Sequence, residues 1–286
     1  MAALPRVFAQ RGLRLALGLV GIGLCVLLVS RFALEQHRPP ERCPDGMSAL
    51  GARCCGAGQT LVGDACKGPA QSCSSAQELD AGRQCVVRSG VVAFAGGELR
   101  IGAADWEGAT GGERFPRTQV HAFRLDRSEV TLARWQSCKA CPARAGEPGL
   151  PVSDVTPAEA DAFCQSQAGR LPTAAEWVWA AAGSSARRYA WGNSGLVCRR
   201  AAFGLAHGPC AEGNQPELAG SRPDGASPEG VLDLSGNVAE WTRENAGGYA
   251  ARGGSYRSTA AADLKTWAVQ LGEKALYIGF RCAYPP

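Results

Sequence analysis

Cysteine is the residue type that most restricts how this chain can fold. The sequence contains 13 cysteines, and all except Cys25 lie after residue 42. An even number of cysteines beyond that point is typical of disulfide bonds formed in an oxidising compartment, with buried free thiols as the alternative. We therefore expect a disulfide-bonded protein that lies outside the cytoplasm.

The N-terminal segment predicts the same location. Residues 15–30 carry no charge, and the apolar pattern continues past Arg31 to give a stretch near the roughly 20 residues that a membrane helix needs. Three arginines precede it, so the positive-inside rule predicts a cytoplasmic segment 1–14, a transmembrane signal-anchor 15–34 and export of the remainder. A polar, proline-containing tether, 35–42, follows the anchor.

Two other interpretations of the apolar segment remain open. A cleaved signal peptide would need a small-x-small site after the apolar run, and the sequence VSRFAL at 29–34 matches such a site poorly. Cys25 could be a lipidation site, but Leu24 occupies the position where a small residue is expected. Both alternatives also export the domain.

The charge distribution excludes a nucleic-acid-binding protein. The net charge is +4, and residues 1–31 contain four arginines and no acidic residue. The rest of the chain is therefore neutral overall, whereas a nucleic-acid-binding domain would carry clustered basic residues. We expect the chain to contact the membrane through its anchor and to have no nucleic-acid partner.

The segment 43–85 is a small cysteine repeat. Three stretches of similar length each begin and end with cysteine, and the first two share a C-x-x-G pattern. This periodicity favours pairing within each stretch, although six cysteines permit fifteen connectivities. The segment is either a spacer stalk or a protein-binding module. The predicted disulfides are Cys43–Cys54, Cys55–Cys66 and Cys73–Cys85.

Short strands and two helices are predicted after residue 86. The apolar alternation indicates strands at Val91–Phe94, 98–101 and 120–125. Thr156 and Thr173 each precede a glutamate by three residues, which is the capping-box pattern of a helix start. We expect the helices to run to about Gln167 and to Ala182, with Gly183 ending the second.

Seven short sequence blocks occur one after another beyond residue 86. They are GELRIG at 97–102, FRLDRSEVT at 123–131, GRLPTAAEW at 169–177, YAWGN at 189–193, GNVAEW at 236–241, RGGSY at 252–256 and GFRC at 279–282. Together they resemble the sulfatase-modifying-factor family, whose founding members are formylglycine-generating enzymes. The resemblance covers nearly all of 86–286. It implies a compact, loop-rich α+β fold related to C-type-lectin-like folds, with two main helices and short antiparallel strands.

The resemblance also implies the remaining disulfides. In the family's arrangement Cys164, on the first predicted helix, would be bonded to Cys282. The local pairs Cys198–Cys210 and Cys138–Cys141 are then left over. The second of these could instead be a redox C-x-x-C motif, but it lacks a thioredoxin-like context.

The family's copper site is not expected in this chain. The resemblance implies two thiolate positions, the first three residues after the serine of the Gly-Gly-Ser turn and the second five residues further on. Those positions hold Ser258 and Asp263. Copper(I) selects soft thiolates, so we expect neither copper binding nor formylglycine formation. Only His121 and His207 lie in the domain, and His121 is expected in a strand, so there is no positive sign of an iron site.

One metal site of the family does match. The resemblance implies a structural calcium ion held by Asp233, by the carbonyls of Gly236 and Val238, and by Glu240. Calcium prefers six to eight oxygen ligands, which a turn with successive carbonyls can supply. The alternative is that Glu240 and Asn237 only hydrogen-bond the turn.

Two functions follow from these expectations. The first is a non-catalytic binding or scaffold protein that recognises an envelope protein, a peptide or a glycan. The alternative is a metal-dependent oxidase or maturation enzyme of the same family. Paired carboxylates such as Asp224 and Glu229 fall in a turn-rich loop, and we expect them to be solvated rather than catalytic.

Overall fold

The computed structural model describes residues 43, 46–51, 53–63, 65–73, 77–79, 82–87, 90–101, 115–204, 210, 214–270 and 272–286. The predicted cytoplasmic segment, signal-anchor and tether lie outside these ranges. Within the ranges, no helix is both long and apolar enough to cross a membrane.

The cysteine-rich segment folds into three antiparallel hairpins. Their strands are Met47–Leu50 (β1), Arg53–Gly56 (β2), Thr60–Val62 (β3), Ala65–Lys67 (β4), Gln77–Leu79 (β5) and Cys85–Val87 (β6). The three predicted disulfides are all confirmed. A Cβ atom on Gly56 would lie 2.6 Å from the Cys85 Sγ, so the first and third hairpins pack directly together. We call residues 43–85 the cysteine-rich unit.

Five strands form the next two sheets. They are Val91–Phe94 (β7), Gly97–Ile101 (β8), Phe115–Val120 (β9), Phe123–Asp126 (β10) and Ala283–Tyr284 (β15). Strand β10 lies between β7 and β15, while β8 pairs with β9. The prediction of a single strand over 120–125 is wrong, because β9 ends at Val120 and β10 starts at Phe123. The Gly96 backbone packs against the Val120 carbonyl at this bend, and His121 is exposed there rather than in a strand.

Both predicted helices begin at capping boxes. The helices are Pro157–Ser166 (α2) and Ala174–Ala182 (α3), preceded by a short helix at Leu132–Gln136 (α1). The hydroxyl groups of Thr156 and Thr173 accept the N–H of the third helical residue, and the glutamate at that position accepts the N–H of the cap. Gly183 ends α3 with a φ of +63°, as predicted.

Helix α1 was not predicted from the sequence. Thr131 caps it, but its first turn contains no acidic residue to complete a capping box. A disulfide between Cys138 and Cys141 closes the turn that follows. These cysteines follow a helix C-terminus, where the helix dipole disfavours a thiolate, and this favours a structural bridge over the redox alternative.

A four-stranded sheet completes the domain. Its strands are Ala239–Arg243 (β11), Tyr249–Arg252 (β12), Val269–Gln270 (β13) and Ile278–Gly279 (β14), in the order β13-β12-β11-β14. Strands β11 and β14 run parallel, and the other neighbours are antiparallel. The disulfides Cys164–Cys282 and Cys198–Cys210 are both formed, as the resemblance implied.

The two largest apolar clusters form most of the core of residues 90–286. In the first, α3 packs against β7–β10 and Trp177 is fully buried. Trp179 lies on another face of α3, and a Cβ on Gly97 would be 2.6 Å from its ring. In the second, the rings of Trp135, Phe163 and Phe280 lie with centroids 5.4–6.1 Å apart. Such aromatic contacts add stability beyond the area they bury.

Candidate functional site

The Gly-Gly-Ser turn brings the two expected copper positions together without thiolates. Gly254 has a φ of +67°, and a Cβ on it would lie 2.8 Å from the Asp263 carbonyl oxygen and 3.0 Å from the Ser258 Oγ. The Ser258 hydroxyl is buried and accepts the backbone N–H of Ser255 at 3.0 Å. Ser258 therefore closes the turn. Among the described residues, no group of three or more histidine, cysteine or acidic side chains could hold a metal ion.

Glu240 is held by a guanidinium group in the core. Its side chain is fully buried, and Arg281 donates to both of its oxygens, with Nε–Oε2 and Nη2–Oε1 distances of 2.6 Å. The indole Nε1–H of Trp177 donates to Oε2 at 2.7 Å. Helix α3 and the GFRC block thus converge on one carboxylate of strand β11.

The other donors of Arg281 are also occupied. Nη1 donates to the carbonyls of Asp126 and Arg127 at 3.0 and 3.2 Å, and Nη2 donates to the carbonyl of Leu232 at 2.8 Å. The guanidinium group is fully buried and connects β10, the turn before β11 and β11 itself. A fully hydrogen-bonded guanidinium is the arrangement in which a buried cation is tolerated.

Asp233 and Asn237 hold a neighbouring loop in place. An oxygen of Asp233 accepts the backbone N–H of Gly220 at 2.5 Å. The side chain of Asn237 accepts the N–H of Glu217 at 2.9 Å and donates to its carbonyl at 3.2 Å. Both residues adopt positive φ angles of 57° and 61°, which the turn imposes. Two residues of the calcium-like block therefore fix the loop 217–220.

These contacts do not fit a calcium ion bound through Glu240. Both oxygens of that carboxylate already accept hydrogen bonds, and its charge is matched by Arg281. One oxygen of Asp233 is engaged by Gly220, while Gly236 and Val238 lie in the buried turn between the two carboxylates. The alternative, a hydrogen-bonded turn, accounts for the contacts of Glu240 and Asn237. Melting with added calcium and with excess chelator tests whether an ion binds here.

Glu129 is a buried acid that sequence reasoning did not single out. It is 1% exposed, and neither carboxyl oxygen has a hydrogen-bond donor among the described residues. Burial raises the pKa of the Glu129 carboxyl well above its ordinary value, and the negative charges of Asp233 and Glu240 raise it further. Burial and the neighbouring charges thus favour the protonated form of Glu129, in which its O–H can donate to Asp233. The only sequence signal is its position inside the block FRLDRSEVT.

A polar cleft lies between the cysteine-rich unit and the rest of the described chain. It has a volume of about 510 Å³, and the walls come from β2 on one side and from the loop 217–224 on the other. Its charged lining residues are Arg53, Arg199, Glu217, Arg222 and Asp224. The glutamines Gln59, Gln77 and Gln84 line the side formed by the cysteine-rich unit.

Asp224 lies where the two parts meet. Its carboxylate is 3.3 Å from the Arg199 Nε and accepts the backbone N–H of Cys54. Burial raises the pKa of the Asp224 carboxyl, and the charges of Arg199, Arg200 and Arg53 oppose that rise. The expectation that Asp224 is solvated is wrong, because the docked unit covers it. Glu229 forms an ion pair with Arg187, and its side chain is 35% exposed.

A comparison against known protein families agrees with the resemblance seen in the sequence blocks and with the fold. Residues 77–285 match the family described as "Sulfatase-modifying factor enzyme 1-like domain", which is well over half of the chain. The chain belongs to this family. A comparison with curated protein sequences gives no match. Membership in a family does not by itself assign an activity, which depends on the residues of the site.

Solved structures confirm the fold class of this family member. Treponema denticola variable protein 1 is similar, with 18% identity, a TM-score of 0.56 and coverage of 68% of this chain and 95% of that one. CarF is similar with 22% identity, a TM-score of 0.53 and coverage of 70% and 99%. PvdO from Pseudomonas aeruginosa shows 19% identity, a TM-score of 0.55 and coverage of 68% and 94%. At these identities the likeness concerns the fold alone.

Proposed function

We propose that this family member is a non-catalytic binding or scaffold protein. The observation that carries the proposal is the chemistry around the Gly-Gly-Ser turn. Copper chemistry would need two thiolates at these positions. They are replaced by a buried serine hydroxyl, which is hydrogen-bonded to a backbone amide, and by an aspartate. Ser258 and Asp263 serve the turn and not a redox metal.

The proposal places the protein at the cell envelope. The apolar segment 15–34 anchors it, the arginines before that segment keep the N-terminus in the cytoplasm, and six disulfides suit an oxidising exterior. The ligand is an envelope protein, a peptide or a glycan. A reporter that is active only outside the cytoplasm should be active when fused after Pro286. Activity of a cytoplasmic reporter at that point would overturn the topology.

Metal analysis and a peptide assay test the absence of catalysis. Purified protein should contain no stoichiometric copper or iron, and should leave the mass of a cysteine-containing substrate peptide unchanged even with added copper. The double variant Ser258→Cys, Asp263→Cys is the matched control, since it restores a thiolate at both positions. We expect this variant to gain copper(I), whereas either single variant should not. Stoichiometric redox metal in the wild type, or conversion of the peptide, would support the enzyme alternative.

A further inference from the structure

The cleft between the cysteine-rich unit and the loop 217–224 has the features of a binding site. Its volume of about 510 Å³ lies within the range of ordinary small-ligand sites. Its charged side chains are largely shielded from water, with exposures of 18% for Arg199, 16% for Arg222 and 12% for Asp224. Charges on low-dielectric concave walls act more strongly on a ligand than charges on an open surface.

The charge balance of the cleft favours an anion. Arg222 is neutralised by Glu217, to which it donates from Nε at 2.7 Å and from Nη2. The other charged lining residues are Arg53, Arg199 and Asp224, of which Asp224 lies 3.3 Å from the Arg199 Nε, so the described lining carries one more positive than negative charge. Arg53 is the exposed member of this set and lies on the rim formed by β2. A guanidinium binds a carboxylate through two parallel hydrogen bonds.

The walls of the cleft are held in fixed positions before any ligand binds. Asp233 and Asn237 fix the loop 217–220 through three hydrogen bonds to its backbone. On the opposite wall, the amide of Gln59 donates to the carbonyl of Gly68 at 3.0 Å and to the side chain of Gln84 at 3.2 Å. Preorganised walls reduce the entropy cost of binding.

The remaining lining residues indicate the rest of the ligand. The described lining contains no aromatic ring, and its apolar side chains are Met47, Ala65, Pro223 and the disulfide-bonded Cys54, Cys55, Cys66 and Cys85. A peptide side chain would find no apolar pocket here, and a neutral sugar would find no aromatic face to stack on. Glutamine and serine side chains suit hydroxyl groups, which can both donate and accept hydrogen bonds.

We propose that this cleft binds an acidic sugar, whose carboxylate pairs with Arg53 and Arg199 and whose hydroxyl groups meet the glutamine-lined wall. The proposal rests on the binding role proposed above and names its site and its ligand class. It assigns a function to the cysteine-rich unit, because that unit supplies one wall of the site. The unit is then part of a binding module and not a spacer stalk.

Calorimetric titration of the full-length purified protein tests the proposal. The probes are glucuronate, glucose as its neutral counterpart, and the dipeptide Ala-Glu. We expect glucuronate to bind with an affinity that falls as salt is added, and glucose to bind at least about tenfold more weakly, as loss of one charge-assisted contact implies. Equal binding of glucose, stronger binding of the dipeptide, or no binding of glucuronate would each overturn the proposal.

Variants locate the site. Arg53→Gln should weaken glucuronate binding about tenfold without unfolding the protein, because its side chain is exposed. Arg100→Gln is the matched control, since Arg100 is an exposed arginine of β8 that does not line the cleft. An unchanged affinity of the Arg53 variant would place the ligand elsewhere. Failure of this test is separable from failure of the proposed function, which depends on the copper and peptide measurements.

Discussion

Arg281 and Glu240 form a two-point ion pair in the core, with both N–O distances at 2.6 Å and both side chains at most 1% exposed. Glu240 lies on β11, and Arg281 lies two residues after the end of β14. The ion pair therefore links these two parallel strands. Removal of one partner from a buried pair leaves an uncompensated charge in a medium of low dielectric constant. The stability of the domain should therefore depend strongly on this contact.

Glu240→Gln should lower the free energy of unfolding by about 3–5 kcal/mol, because Arg281 then remains buried as an unpaired cation. Urea denaturation of the purified protein measures this loss. Glu98→Gln, which changes an exposed glutamate in a surface ion pair, is the control and should change the free energy of unfolding far less. Similar losses in the two variants would contradict the role given to the buried pair.

The stability of the domain should fall through Glu129 as pH rises from the ordinary range of a glutamate pKa to the raised folded-state pKa of this carboxyl. Burial, followed by the charges of Asp233 and Glu240, holds the pKa of the Glu129 carboxyl well above its ordinary value, while Arg281 opposes this shift. A raised folded-state pKa contributes stability that is complete below the unfolded-state pKa and is lost as pH rises through the folded-state pKa.

Glu129→Gln tests this pH dependence, because an amide keeps a donor for Asp233 but has no proton to lose. Melting temperatures measured from mildly acidic to alkaline pH should fall less steeply for the variant than for the wild type. Glu98→Gln should follow the wild-type curve. If the wild type and Glu129→Gln curves run parallel, the proton is not held on Glu129.

A calcium chelator should leave the melting temperature unchanged, because Arg281 already neutralises Glu240 and Gly220 engages Asp233. A ligand that binds only the folded state at a hundredfold excess over its dissociation constant would stabilise it by about 2.7 kcal/mol. Melting with added calcium and with excess chelator distinguishes the two cases. A clear fall on chelation would show that the turn holds an ion despite these contacts.

Asp224→Ala should loosen the cysteine-rich unit from the family domain. The change removes the acceptor of the Cys54 N–H and the carboxylate beside Arg199, and a lost buried hydrogen-bond partner costs about 1–3 kcal/mol. Hydrogen exchange of the Cys54 amide should become faster. Asp224→Asn keeps an acceptor and should show a smaller change, and equal exchange in all three proteins would count against docking through Asp224.

Replacement of Cys164 and Cys282 by alanine should lower the free energy of unfolding by about 4–5 kcal/mol in the chain-entropy model, since the bond closes a long loop. The sequence separation is 118 residues, whereas that of Cys198 and Cys210 is 12. The corresponding Cys198, Cys210 variant is therefore the control, with an expected loss smaller by about 1–2 kcal/mol. The reverse order would show that native-state contacts, not loop length, set the contribution.

Apart from the fold class and the long-range disulfide that the family resemblance implied, the parts of the fold that sequence predicted correctly are those determined by residues close together in the chain. Thr156 and Thr173 start helices because each finds its own glutamate one turn later, and the hairpin disulfides follow from their spacing. The bend between β9 and β10 was missed because it depends on Gly96, which is distant in sequence from His121.

The contacts of the candidate site were harder to predict from the sequence, because they join residues that are far apart along the chain. Glu240 and Arg281 are 41 residues apart, and no local pattern distinguishes their pairing from a calcium site. Asp224 appeared solvent-exposed because its cover comes from the cysteine-rich unit. Glu129 resembles any surface glutamate until the neighbouring carboxylates are in place. In each case the residue looks like an ordinary charged residue in the sequence. It is buried by elements that lie far from it along the chain.

The disulfide between Cys164 of α2 and Cys282, which directly precedes β15, makes residues 164–282 a covalent ring. One proteolytic cut anywhere between those cysteines opens the ring without dividing the molecule. The loop 217–224, the Gly-Gly-Ser turn and strands β11 to β14 all lie inside it. A protein nicked in the exposed segment around Gly247 would therefore still migrate as a single chain on a non-reducing gel, and would separate into two pieces only after the bond is reduced.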